Sequence, residues 1–207
     1  MFIKTIRYNK SFIPINLDLN RIKEYLEYEG EYELLLERFY INDPTLGDED
    51  IATIYFGSLF KKNNETITLN ECEIQQNIDE LEFMDAYYKV KKYLSYNLTS
   101  LIAINFMINI CEGLNLTDKV VENYVAMYWR LLDVILKTGD GLSEKTAFKV
   151  INIDDEYHIV TNYFNIQNIK KQSYSISNNC DVIEFSQSNN YPRTQMYFKL
   201  LKINDNL

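Results

Sequence analysis

Apolar residues recur at helical spacing through most of the chain and begin to alternate with polar ones only near its end. Residues 1–16 carry Phe2, Ile6, Phe12, Pro14 and Ile15 without a helical period, which predicts an extended arm. Asp18 is placed to cap a helix containing Ile22, Tyr25 and Leu26, with Gly30 as its break. Tyr32, Leu35, Leu36 and Phe39 continue the period, and this second helix should stop before Asn42-Asp43-Pro44, because a proline disfavours helical geometry in the residue before it. Gly47-Asp48-Glu49-Asp50 sets acidic side chains ahead of Ile51, Ile54, Tyr55 and Leu59, where they suit the positive end of a third helix. Residues 61–76 are polar and weakly patterned and read as a long loop, and the period returns from Ile78 through Leu94. Further helices are expected from Thr99 to Cys111 and from Thr117 to Lys137.

Thr138-Gly139-Asp140-Gly141-Leu142-Ser143 marks the change of pattern. Beyond it, residues 146–151, 181–185 and 196–201 read as strands, and the acidic start and Ile159, Val160, Tyr163 spacing of residues 154–160 suit a short helix. Asn178-Asn179 and Asn189-Asn190 are turn formers, and Pro192 delays the last strand. The expected fold is α+β: an arm over 1–16, a helical bundle over 17–138, and over 139–207 a small antiparallel sheet of three strands with one short helix, packed on the bundle. The glycine-aspartate junction, taken by itself, reads as a linker between the two parts.

Charge narrows the partners. The chain has 21 Lys and Arg against 30 Asp and Glu, a net charge of −9, which repels phosphate backbones and suits a basic protein partner instead of a nucleic acid. No window approaches 18 uninterrupted apolar residues and the first residues build no signal-peptide core, so a cytoplasmic protein with no membrane segment is expected. Cys72, Cys111 and Cys180 form no disulfide framework. The 17 tyrosines exceed what a core needs; they read first as replacements for Phe and Leu at core margins, in a chain also biased to Asn, Ile and Lys, and second as half-buried residues of an interface.

The candidate chemistry is sparse. Cys180, His158 and Asp155 (or Asp181) supply the residue types of a nucleophile, base and orienter, although Cys180 opens an apolar strand and His158 is spaced for a surface ion pair with Asp154. Asp140, Asp154, Asp155 and Glu156 supply oxygens for a hard cation but lack the spacing of a calcium loop, so neither a metal nor a cofactor is expected. Together with Tyr157, Asp140, Asp154, Asp155 and Glu156 form instead a candidate acidic binding patch. Gly139-Asp140-Gly141 lacks the Lys-Ser or Lys-Thr of a phosphate loop.

Two resemblances add to this reading. Ala86, Val90, Leu94 and Asn97, followed by Ala103, Asn105 and Gly113, resemble about one and a half tetratricopeptide repeats. The order and spacing of residues 138–151, Asp155-Glu156-Tyr157, Cys180-Asp181-Val182-Ile183 and Met196-Tyr197-Phe198 resemble the bacterial domain-of-unknown-function family 4919, with looser matches around residues 36–40 and 55–57. Ser177-Asn178-Asn179 stands where that family commonly has a glycine-rich turn. The resemblance implies a fold and no activity, and because the glycine-aspartate junction belongs to the matched motif it implies a structured turn there rather than a free linker. The expected function is non-enzymatic protein binding, with immunity or antitoxin action against a cognate toxin second and a cysteine-dependent hydrolase third.

Overall fold

The computed structural model describes residues 14–61, 67–176 and 179–203. The extended arm expected over 1–16 falls mostly outside the described residues; of its described end, Ile15 donates its backbone N–H to Lys137 O at 3.0 Å. The chain forms two compact units, one of residues 19–132, the other joining the residues before 19 to those from 133 onward. The architecture is α+β, helices first and a sheet after them, as the hydrophobic pattern requires.

Within 19–132 the helices are α1 (Leu19–Tyr25), α2 (Glu31–Tyr40), α3 (Asp48–Gly57), α4 (Glu71–Asp79), α5 (Phe83–Leu94), α6 (Leu101–Gly113) and most of α7 (Asp118–Leu136). Gly30 opens α2 at φ 81°, a left-handed position that glycine adopts without steric cost. After α2, Asp43 accepts from Arg38 Nε at 2.8 Å and from the backbone N–H and hydroxyl of Thr45, which locks the turn ahead of α3. Of residues 61–76, expected as a loop, 62–66 lie outside the described residues and those from Glu71 onward are helical. Asn70 accepts from Glu73 N–H at 3.2 Å and starts α4 there. A break at Glu80–Glu82, with Leu81 at φ 63°, then splits what the periodicity reads as one helix from Ile78. Ala86, Val90 and Leu94 form the buried face of α5, which packs on α4 and α6. Tyr55, Phe56, Phe39, Ile104 and Met107 are fully buried.

The second unit contains β1 (Phe148–Val150), α8 (Ile153–His158), a π-turn (Ile159–Tyr163), β2 (Ile169–Ser175), β3 (Cys180–Phe185) and β4 (Gln195–Leu200). The sheet has four strands in the order β1-β4-β3-β2. This differs from the three antiparallel strands expected: β1 pairs with β4 in parallel, and β2, not among the expected strands, pairs antiparallel with β3. Its sequence, Ile-Lys-Lys-Gln-Ser-Tyr-Ser, lacks apolar alternation because β2 is an edge strand with lysines facing water.

One face of the sheet buries Phe148, Phe198, Ile183 and Phe185, where the rings of Phe164 and Tyr191 join them at centroid distances of 5.0–6.3 Å. The glycine-aspartate junction is a structured turn of this unit. Asp140 and Gly141 N–H donate to Thr146 O at 2.9 and 2.8 Å, Tyr197 N–H donates to Gly141 O at 3.0 Å, and the Tyr191 hydroxyl donates to Asp140 O at 2.9 Å. Gly141 sits at φ 67° with the Phe148 ring against its α-carbon, so a side chain there would meet both strain and an aromatic wall.

Candidate functional site

Asn152 starts α8 by accepting from Asp154 N–H at 3.2 Å. The helix then turns Asp154 to solvent while Asp155, Glu156 and His158 go inside, with Glu156 fully buried and Tyr157 half-buried. The reason is the helical period: Asp155 and Glu156 lie four residues before the buried Ile159 and Val160, so the acidic turn shares the apolar face. A solvent-facing acidic patch is therefore not what these residues form. Two of its five members are buried, and Asp140 is engaged in the junction turn, its carboxylate accepting from Leu142 N–H at 2.9 Å. His158, expected at the surface, is 3% exposed, and burial lowers its imidazole to about 4, which keeps it neutral at pH 7.

Glu156 is the most unusual group in this unit. Gln172 Nε2, from β2, donates to Glu156 Oε2 at 3.3 Å, and Gln172 Oε1 accepts from the Tyr157 hydroxyl at 2.5 Å. Glu156 Oε1 is buried and has no hydrogen-bond partner. Burial, then the neighbouring Asp181 and Asp155 carboxyls, push the Glu156 carboxyl up to about 8, so it holds a proton near neutral pH. Asp181 on β3 is itself raised by burial, with Lys202 working against the shift.

Cys180 is buried at the start of β3, and its thiol donates to Phe198 O at 3.0 Å. Burial first, with Glu144, Asp181 and Glu156 adding to it, raises the thiol to about 11. That is the reverse of the electropositive, partly exposed setting in which a thiolate nucleophile forms. Strand alternation also sends Cys180 to the other face of the sheet from Asp181 and Ile183. Among the described residues, no group of three or more His, Cys, Asp or Glu is arranged to hold a metal ion, and no helix is long and apolar enough to cross a membrane.

The helical unit carries a second candidate that residue-by-residue reading missed. Tyr124 of α7 hydrogen-bonds Tyr40 of α2, and burial first, then Tyr40, Cys111 and Tyr87, raises its phenol. Asn123 Nδ2 donates to Tyr40 O at 2.8 Å, and the Tyr87 and Tyr88 rings of α5 meet edge to face at 5.8 Å. Tyr40 and Ile41 at the end of α2 and Met84 and Tyr88 on α5 are exposed, Ile41 at 71% and Tyr88 at 63%. Glu37 lies one turn before Ile41, and Asp118 and Glu122 flank the exposed Val120 on α7. The tyrosine count was the signal for this patch; its location depends on three helices meeting.

The sequence matches the family described as a domain of unknown function (DUF4919) over residues 20–207. The chain belongs to this family. The DUF4919 region takes in both the α8 cluster and the tyrosine patch, so each is part of the family's domain rather than an appendage to it. Neither a curated protein nor a solved structure matches the chain.

Proposed function

We propose that this DUF4919 protein is a non-enzymatic protein-binding module whose helical unit offers the Tyr40–Tyr88 patch to a basic protein partner. The observation that carries this reading is the exposure of Tyr40 and Ile41 at the end of α2 and of Met84 and Tyr88 on α5, two helices whose Tyr40 and Tyr87 both act on Tyr124. Exposed apolar surface of this kind is normally covered, and tyrosine and methionine are favoured where partners pack. Acidic side chains beside the patch, within a chain of net charge −9, favour a cationic partner and a fast, salt-sensitive encounter. The narrower form is immunity or antitoxin action, which the same charge supports because it suits one basic toxin. A cysteine-dependent hydrolase draws no support from the protonated, buried thiol of Cys180.

The test is affinity capture from the native cell at low and high salt, with the wild type and with a Tyr40→Ser/Tyr88→Ser variant run in parallel. One stoichiometric partner, weakened by salt and lost from the variant, supports the proposal in its narrower form. Partners retained equally by both proteins would show that the patch is not the binding surface.

A further inference from the structure

We propose that Glu156 is a proton-controlled latch: while its carboxyl keeps a proton, α8 and the π-turn stay closed on the sheet, and loss of that proton releases them. The geometry is that of a carboxyl built to be neutral. Glu156 is fully buried, one oxygen has a single 3.3 Å hydrogen bond from Gln172, and the other has none. A carboxylate left in that state lacks the two or three donors that make a buried anion tolerable, whereas a protonated carboxyl leaves no charge to compensate.

The surrounding charges reinforce this. From α8 itself the acting group is Asp155, and from β3 it is Asp181, both of the same sign as an ionised Glu156. His158 on α8 is neutral by burial, and β2 places the uncharged Gln172 against Glu156 while Lys170 and Lys171 are exposed. The π-turn contributes no carboxylate or amine. The strand packed on α8 is β1, whose Lys149 pairs in register with Lys199. Both lysines alternate to the sheet face opposite Phe148 and Phe198, and Phe198 pairs with Asp181. No lysine is among the groups acting on Glu156, so its ionisation meets two carboxyls and no cation.

The element that would yield is also identified. α8 has six residues, too short to persist alone, and it runs into a π-turn in which Phe164 N–H reaches back five residues to Ile159 O at 3.0 Å. Such turns are rare and concentrate at functional sites. β3 pairs with β4 in unbroken register and with β2 in a ladder irregular only between Ile169 and Lys171, so α8 and the π-turn can leave before the sheet does.

Hydrogen exchange across the pH range tests the latch. Amides of 157–163 are compared with those of Val182 and Ile183 after correction for intrinsic base catalysis. In the wild type the relative exchange should rise about tenfold or more between roughly pH 6 and pH 9. In Glu156→Gln, which cannot ionise, it should stay flat. Asp181→Asn keeps the carboxyl but removes a like charge, so its midpoint should move to lower pH; this variant decides the matter if Glu156→Gln does not fold. A flat wild-type profile, a rise shared by Glu156→Gln, or a midpoint unmoved in Asp181→Asn would overturn the proposal.

Discussion

The two units of this protein treat polar groups in opposite ways. The helical unit keeps its carboxylates outside: Asp43, Glu33 and Glu73 lie below their ordinary range, chiefly through hydrogen bonds from Thr45, Lys61 and Lys89 respectively. Among its buried titratable groups, Tyr32, Tyr124 and Cys111 are raised by burial and titrate far above neutrality. The sheet unit instead buries Asp155, Glu156 and His158, and burial moves the last two to about 8 and about 4. Around neutrality the sheet unit therefore has a buried carboxyl that titrates, Glu156, whereas these helical-unit groups are all shifted away from neutrality. Exposed aromatic residues are more frequent in the helical unit, which leaves Tyr28, Tyr40, Tyr88 and Tyr96 exposed, whereas the sheet unit packs its rings around Phe148 and exposes Tyr174.

The largest effect that would sharpen this comparison comes from a pair of glycines. A β-carbon at Gly139 would press on the backbone carbonyls of Thr146 and Ala147, whereas one at Gly30, despite φ +81°, meets nothing within 4 Å. Gly139→Ala should destabilise by roughly 3 kcal/mol, and Gly30→Ala by only about 1 kcal/mol, the cost of the left-handed conformation. Urea midpoints read both, and equal shifts would show that the junction turn is not the rigid element described.

A similar effect is expected from pH. The unfolded Glu156 carboxyl loses its proton near 4.5 and the folded one near 8, so its contribution is complete below 4.5 and declines as pH rises toward 8. The unfolded imidazole of His158 takes its proton near 6.5 and the folded one only near 4, so its contribution is present above 6.5 and declines as pH falls toward 4. The two slopes oppose each other where they overlap, leaving loss on the alkaline side to Glu156. Glu156→Gln should therefore gain stability over the wild type between pH 4.5 and pH 8, on the order of 3 kcal/mol. Melting curves at the two ends measure it, and a difference independent of pH would remove the buried carboxyl from the explanation.

Much of this arrangement is readable in the chain, and the failures have physical causes. The acidic start of α3, the proline after α2 and the apolar stripe of α5 are local signals that survive folding because they act within one helix. α4 is missed because it buries only Ile74 and Asn77, too few to set a period, and β2 because an edge strand need not alternate. The buried acids of α8 were within reach: Asp155 and Glu156 precede Ile159 and Val160 by one turn. An acidic helix start reads as solvated by default, so that spacing was outweighed. The tyrosine patch is different in kind, since Tyr40, Tyr87 and Tyr124 come together only in the folded unit.

The smallest effect belongs to that patch. Tyr88→Ser should change stability by less than about 0.5 kcal/mol, as expected for an exposed side chain. A loss of several times that in a melting experiment would mean that Tyr88 holds the helices together, and would withdraw it from the proposed binding surface.

The contrast between the units rests most directly on the protonation of one side chain. Carbon-detected NMR titration of the Glu156 carboxyl measures it without a variant. The account expects a midpoint near 8. A midpoint near the ordinary glutamate value of 4.5 would contradict it, and with it the assignment of pH sensitivity to the sheet unit.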